Sequence, residues 1–378
     1  MNHRDRRKFR AAALQIAPVF MDKKRTVEKY CEYIIQAGRE GADLIVTPET
    51  GIPTYPYWRN NLGYASPETV RSWKDTVLAY YDNSLRIPED TVELCRAARA
   101  AKAICVIGCS EQDTRPGSGT LYNTMLYISS TGEILGRHRK LMCTHTEKAV
   151  WGNGDASDLV VMETELGRLG GLICFENHVY WFKAAMAAQG EEIHAASWPG
   201  WYQYVGDDRS VRDMSGSPGP AHLCDQDSAV REYAFSTQTF VISASHILGE
   251  DAVPDDFPYK EVMNTRWSIG GSCIVNPWGM YLVEPTLNEE AILSAEIDMG
   301  ERIIAKNIID TMGHYTRWDL VTLNVRKSPW SPTADRERND AHALLAGLDD
   351  EKMDVIAKRC EVSVDKIEAI LKEIASVT

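Results

Sequence analysis

The chain has 378 residues, 44% hydrophobic and 25% charged, a soluble globular balance with room for one large α/β domain or two smaller ones. A formal net charge of −13 argues against nucleic acid and anionic membranes as partners, since both need basic surface. No stretch approaches the roughly 20 apolar residues that span a bilayer, the basic run Arg4–Arg10 has no signal-peptide core behind it, and nine cysteines without a small-domain framework read as reduced thiols in a cytoplasmic protein.

Phe9 to Ala17 alternates small apolar residues as an opening strand would. Thr26 to Gly41 places Val27, Tyr30, Ile34 and Ile35 at helical spacing, with Gly41 as a stop. Ala42 to Thr47 is predicted as a strand, Thr91 to Lys102 as a helix and Ala103 to Gly108 as a strand. Leu121–Ile128 and Glu133–Arg137 form a hairpin around Ser129-Ser130-Thr131-Gly132. Arg168 to Ile173 is a further strand, and Tyr180 to Gln189 a helix. Glu192–Trp198, Phe240–Ser245, Gly271–Val275, Met280–Glu284 and Ala291–Ile297 complete the strands. Ile52–Ser66, aromatic and rich in Pro and Gly, and Gly206–Gln226 read as long loops of the functional or disordered kind. Pro329 to Asp340 is a polar linker. Leu348 to Ile374 carries apolar residues at the spacing of two short amphipathic helices, a tail that packs on its own body, forms an oligomer contact or serves as a small appended docking module.

Three strand ends carry chemistry. The run Leu169-Gly170-Gly171-Leu172-Ile173 delivers Cys174 to a turn, Leu44-Ile45-Val46-Thr47-Pro48 delivers Glu49, and Gly136-Arg137-His138-Arg139 delivers Lys140. Each has a bland reading alone: a core thiol, a surface carboxylate, a solvated basic run. Together a nucleophile, a base and a cation are the parts of acyl transfer. A nearby ammonium lowers a thiol's pKa, so Lys140 is expected to activate Cys174, with Glu49 accepting its proton and later activating water. Lys140 and the Phe175 backbone N–H are placed to stabilise the charge that develops on the substrate.

Cys143 with His145 and Cys174 with His178 offer two Cys/His pairs. Cys-x-His is not a zinc-knuckle spacing, and Lys140 would repel a cation, so no metal is expected. Gly170-Gly171 has no Gly-Lys-Ser/Thr after it, so no nucleotide cofactor is expected. Tyr55, Tyr57, Trp58, Phe175, Trp198, Trp201 and Tyr202 are candidates for an apolar pocket wall; Trp198 and Pro199, at a strand's carboxyl end, are favoured with Tyr55 and Phe175.

The motifs Pro48-Glu49-Thr50, Arg139-Lys140-Leu141 and Cys174-Phe175-Glu176-Asn177, in that order, resemble the nitrilase superfamily with its Glu-Lys-Cys triad. The runs Tyr55-Pro56-Tyr57-Trp58 and Val150-Trp151-Gly152-Asn153-Gly154-Asp155 resemble its true-nitrilase branch. Two departures stand out: Phe175 where the family has tryptophan, and Cys143 where it has proline. The resemblance implies a four-layer αββα sandwich over residues 8–330, with 331–378 as linker and helical tail. It implies a role for Glu147 as the second glutamate, which positions substrate and Lys140. It implies a dimer or larger homo-oligomer through Tyr180–Gln189, with the inserted loops extending it. The activity implied is hydrolysis of a small nitrile to acid and ammonia. Cyanide hydratase, amidase and a catalytically silent binding protein are the alternatives; retention of Glu49, Lys140 and Cys174 speaks against the last.

Overall fold

A computed structural model describes residues 7–61, 66–200, 204–205, 211–212, 225–263 and 268–325, with isolated positions near the carboxyl terminus. Along the chain run β1 (Lys8–Gln15), α1 (Lys23–Arg39), β2 (Leu44–Val46), α2 (Pro67–Asn83), α3 (Val92–Ala101), β3 (Ile104–Gln112), β4 (Leu121–Ile128), β5 (Ile134–Arg139) and β6 (Trp151–Gly152). There follow β7 (Met162–Thr164), β8 (Gly167–Ile173), α4 (Tyr180–Ala188), β9 (Ile193–Trp198), the ribbon β10 (Tyr204–Val205) and β11 (Val211–Arg212), and α5 (Asp225–Thr237). The last are β12 (Phe240–Ser245), β13 (Ile247–Leu248), α6 (Lys260–Met263), β14 (Ser268–Val275), β15 (Tyr281–Leu287), β16 (Ala291–Asp298) and α7 (Gly300–Ile308).

Alternation along the strands dictates the layering. In β1, Ala12 and Leu14 join Val27, Tyr30 and Ile34 of α1 and Leu94, Ala97 and Ala98 of α3 in one buried cluster. Ala11 and Ala13 face the other way, into a cluster with Leu44, Val46, Met125, Leu169 and Ile173. The first sheet has the order β16-β1-β2-β3-β4-β5, with β6 on β4. The second runs β13-β14-β12-β9-β8-β7, with β15 on β14. Ala185 and Met186 of α4 and Ala229, Val230 and Tyr233 of α5 cover the far side of the second sheet. The result is helix, sheet, sheet, helix, the expected αββα order. Within each sheet a parallel set lies at the centre, β1-β2-β3 and β8-β9-β12. Their carboxyl ends are where open α/β sheets place ligands.

Two expectations are corrected, and one helix had no counterpart in the sequence reading. Helix α2 was not foreseen because it has no inward apolar stripe: only Thr76 and Tyr80 are buried, while Val77 and Leu78 face outward. Its start is set by Ser66 and Thr69, whose side chains and backbones cap each other. Helix α5 begins inside the stretch read as a loop; its stripe of Ala229, Val230, Tyr233, Ala234 and Thr237 is built partly of small residues, which weakens the pattern. Ile52–Ser66 is not an open loop over the residues described. Ile52 pairs with β3, and Tyr55, Tyr57 and Trp58 are buried with Tyr80, Trp151 and Leu248.

The chain divides into two compact units, Met1–Lys327 and Ser328–Thr378. The expected linker and most of the expected tail lie outside the described residues; a helical turn begins at Ser363, whose carbonyl accepts from Lys366 and Ile367. Among the described residues no helix is long and apolar enough to cross a membrane, and the cysteines are free.

Candidate active site

Strand β5 and the segment after it sort a run of basic residues by parity. Arg137 and Arg139 point to one side and share the buried Glu111 carboxylate. His138 and Lys140 point to the other: His138 Nε2 lies 2.8 Å from Glu176, and Lys140 is fully buried against two carboxylates. Lys140 Nζ donates to Glu49 Oε1 at 2.8 Å and to Glu147 at 2.9 and 3.1 Å. Its backbone is pinned on both sides, by Asn123 O at 2.8 Å and by the Gly154 N–H at 2.7 Å. Glu147 sits three residues after Thr144, and its carboxylate accepts the Thr144 N–H at 2.8 Å and the Tyr55 hydroxyl at 2.5 Å.

Glu49 follows β2 and enters a turn that crosses to the second sheet. The Glu49 N–H donates to Trp198 O at 3.3 Å, Ser197 Oγ donates to Thr47 O, and His246 Nε2 donates to Glu49 O at 2.7 Å. The first sheet yields space here because residue 108 is glycine: a Cβ on Gly108 would meet Pro48 O at 1.9 Å. Asn123 Nδ2 donates to Glu49 Oε1 at 2.6 Å. Glu49 Oε2 is buried with no partner among the described residues.

Cys174 ends β8 with φ of 53°, a left-handed conformation rare for a residue with a Cβ. Glu176 holds the turn: its carboxylate accepts the Ile173 N–H at 2.9 Å and the Leu141 N–H at 2.6 Å, tying Cys174 to the segment that carries Lys140. The Cys174 thiol lies in the fields of Glu49, Lys140, Glu147 and Asp225.

The charges differentiate the groups. Burial pushes Glu49 up to about 7, with Glu147 adding to the rise and Lys140 and Asn123 opposing it. Burial also works against ionised Glu147, but Lys140, Tyr55 and the Thr144 N–H outweigh it and hold that carboxyl below the usual range. Burial works against the Lys140 ammonium too, yet Glu147 and Glu49 hold it well above an ordinary lysine. One ammonium thus serves two carboxylates, and Glu147, with two contacts, claims most of it. The expected lowering of the Cys174 pKa does not occur. Burial and the Glu49 charge raise it well above an ordinary thiol, and Lys140 offsets only part of this. The resting state is a neutral thiol beside a base titrating near neutrality.

The structure brings Glu49, Lys140 and Glu147 into direct contact and Cys174 into their field. The pocket candidates divide. Trp198 is buried, its ring edge-on to His178, which in turn meets Phe175 edge-on, and its indole N–H has no partner among the described residues. Tyr55 commits its hydroxyl to Glu147, and the Pro199 carbonyl accepts the Tyr57 hydroxyl at 2.6 Å. Trp58 is packed among Phe20, Tyr80 and Phe257 and is core. Trp201 and Tyr202 lie outside the described residues. Sequence reasoning missed Asn123, His246 and the positioning role of Glu176. The signals were an asparagine inside a fully buried strand and a histidine directly after another. Among the described residues no three His, Cys, Asp or Glu side chains converge as a metal site.

The sequence profile described as "Carbon-nitrogen hydrolase" matches residues 10–306. The chain belongs to the carbon-nitrogen hydrolase family. It is accordingly a hydrolase acting on carbon–nitrogen bonds. Among its relatives it is 33% identical over 332 residues to a nitrilase of Bacillus sp. (strain OxB-1), covering 86% of this chain and 90% of the relative. It is 34% identical over 343 residues to an aliphatic nitrilase of Rhodococcus rhodochrous, covering 89% and 88%. A carbon-nitrogen hydrolase structure from Helicobacter pylori G27 superposes with a TM-score of 0.64 at 19% identity, covering 83% of this chain and 97% of that one. Within the family fold, Glu49, Lys140 and Cys174 occupy the ends of β2, β5 and β8.

Proposed function

We propose that this carbon-nitrogen hydrolase is a nitrilase, converting a small organic nitrile to its carboxylic acid and ammonia with residues 8–330 as catalytic unit. The observation that carries the reading is Lys140 bridging two buried carboxylates of opposed proton affinity, in whose field Cys174 lies. Such a split assigns acid and base roles. Glu49, poised near 7 with one oxygen unpartnered among the described residues, takes the Cys174 proton as sulfur attacks the nitrile carbon. The π pair moves to nitrogen, stabilised by Lys140 and the Phe175 N–H, and takes the thiol proton from Glu49, which gives a thioimidate and returns Glu49 to its carboxylate form. Glu49 then deprotonates water, which adds to the thioimidate carbon. Ammonia departs with a proton from the network, leaving an acyl-thioester. A second water, activated in the same way, releases the acid and restores the thiol. Glu147, ionised throughout, keeps Lys140 charged and in place. Phe175, Trp198, Pro199 and Tyr55 frame the substrate. The names of the relatives support the nitrile over an amide as substrate.

Self-association is part of the proposal. Tyr180 and Trp181 open α4 at 76% and 67% exposure, an apolar surface that a second copy would cover. The free thiols among the described residues support a reducing, cytoplasmic setting.

The test is ammonia release from a panel of aliphatic, arylacetic and aromatic nitriles, with hydrogen cyanide and the matching amides alongside, and acid and amide products quantified separately. Acid as the main product from nitriles supports the proposal. Amide as the main product, or turnover of amides alone, overturns it in favour of a hydratase or an amidase.

A further inference from the structure

From the Cys174 carbonyl runs a chain of polar side chains that the mechanism above does not use. Asn177, His194, Glu191 and Tyr233 are each 2% exposed or less. Asn177 Nδ2 donates to Cys174 O at 2.8 Å and to Leu172 O at 3.2 Å. His194 Nε2 lies 2.8 Å from Asn177 Oδ1, and His194 Nδ1 lies 2.8 Å from Glu191 Oε1. The Tyr233 hydroxyl donates to Glu191 Oε2 at 2.6 Å, and its ring stacks on His194 with centroids 3.8 Å apart. The second sheet makes room for the carboxylate with a glycine: a Cβ on Gly170 would meet Glu191 Oε1 at 2.1 Å.

The direction of every bond in this chain but one follows from which groups can donate. Two backbone carbonyls can only accept, so the Asn177 atom facing them is the NH2 group and Oδ1 must accept from His194. Nε2 of His194 therefore carries a proton. Tyr233 donates to one Glu191 oxygen, so a single further proton lies between the other oxygen and His194 Nδ1. That proton satisfies both atoms whichever carries it, so no acceptor faces an acceptor between Tyr233 and the Cys174 carbonyl. Reversing one member would leave buried groups unsatisfied, at a cost of about 1–3 kcal/mol each.

The end point matters because the Cys174 carbonyl and the Phe175 N–H belong to one peptide plane. In a trans peptide they point in opposite directions. Holding the carbonyl back toward Asn177 aims the N–H forward. Phe175 is the second residue of the helical turn Cys174–His178, a position whose N–H has no partner within the turn. Cys174, at φ of 53°, would otherwise relax toward a commoner conformation and rotate this plane.

We propose that Asn177, His194, Glu191 and Tyr233 are positioning residues that aim the Phe175 peptide N–H at the atom gaining negative charge when Cys174 attacks. The inference rests on Cys174 as nucleophile and deepens the nitrilase reading, but it holds for any carbon–nitrogen or carbonyl substrate at that sulfur.

The test uses the full-length protein and two readouts. One is kcat and KM on an accepted nitrile. The other needs no turnover: the affinity for a short aliphatic aldehyde, against that for the matching alcohol, from tryptophan fluorescence. The thiol adds to the aldehyde carbon, the carbonyl π pair moves to oxygen and the thiol proton follows by way of Glu49. The resulting hemithioacetal oxygen sits where the N–H points; the alcohol forms no such bond. Asn177→Asp keeps the shape but cannot donate. It should lower kcat at least ~100-fold, the scale of losing one such donor, with KM within about threefold. Aldehyde affinity should fall at least ~tenfold and alcohol affinity stay level. Glu191→Leu should show the same split. Glu191→Gln should recover most of the loss, because its amide donates to His194 Nδ1 while its oxygen still accepts from Tyr233. Aldehyde affinity unchanged in Asn177→Asp, or Glu191→Gln as damaged as Glu191→Leu, overturns the proposal. If Asn177→Asp fails to fold, the Glu191 pair decides. If the parent protein turns over no nitrile, the nitrilase reading falls and the aldehyde titration still decides this one.

Discussion

Two turns face each other across the sheets, one presenting Glu49 and the other Cys174, and they are built from different materials. The Glu49 turn is held by neutral groups: backbone amides, the hydroxyl of Ser197, and His246, which burial pushes down to about 4 and so keeps uncharged. The Cys174 turn leans on two buried carboxyl–imidazole pairs: Glu176 with His138 on one side, and on the other His194 with Glu191, which back the Asn177 amide. The difference follows from what each turn must do. In the proposed mechanism Glu49 changes protonation in every cycle, and a second fixed charge at its back would bias that change. Cys174 keeps an unfavourable backbone conformation, and a connected set of buried hydrogen bonds restrains it in a dry interior.

The sharpest way to break this comparison is to remove the nucleophile. Cys174→Ala should lose at least ~10³-fold in ammonia release with circular dichroism and particle size unchanged; a rate within tenfold of the parent would refute the assignment. Glu147→Gln comes next. It leaves Lys140 with one carboxylate and should lower kcat by about 10²- to 10³-fold, the range for a lost electrostatic contact at the reacting centre. It should also raise the share of amide product, since the charge that holds the leaving nitrogen is weakened. An unchanged rate and product ratio would make Glu147 structural only.

The pH profile sharpens the contrast further. As the proposed base, Glu49 works as a carboxylate, and it is pushed up to about 7, so kcat/KM in the parent should fall tenfold per unit below that point. Asn123 donates to the ionised form, and such a bond lowers a carboxyl pKa. Asn123→Ala should therefore move the acid limb to higher pH. Movement to lower pH, or none, would show that the limb belongs to another group. The smallest effect is expected at His246. It is neutral throughout the working range, so His246→Gln, which can still donate, should leave the limb in place and cost less than about tenfold in kcat. A shifted limb would mean that His246 titrates with the site.

How much of this was legible depended on whether a residue's task was local. The strand ends carrying Glu49, Lys140 and Cys174 could be read because buried runs stop at polar residues. The layer order followed from alternation. What could not be read was set by partners far along the chain. Asn123 meets Glu49 from 74 positions away, and His246 meets it from 197. Nothing near Asn123 distinguishes it from a satisfied core amide. Tyr55 reads as a pocket candidate from its neighbours in sequence; that its hydroxyl also meets a carboxylate 92 positions on could not be read there. Cys143, the departure from the family's proline, uses groups that proline lacks. Its N–H donates to Asn153 Oδ1 at 3.0 Å and its thiol faces Trp151 O and Gly152 O. Burial, with Glu147 nearby, pushes that thiol up to about 12, so it serves as a hydrogen-bond donor and not as a second nucleophile.

The odd and even positions of β5 carry a consequence for how this enzyme can change. Glu111 accepts from residues 137 and 139, while Glu176, Glu49 and Glu147 wait for 138 and 140. Inserting or deleting one residue before Arg137 would swap the two sets, sending guanidinium groups into a cavity sized for an ammonium and leaving Glu111 without its arginines. Two residues would restore the parity but displace the ammonium by about 7 Å. Length variation among descendants of this chain is therefore confined to the far side of the hairpin, and the four-residue basic run acts as a frame marker that the chemistry itself reads.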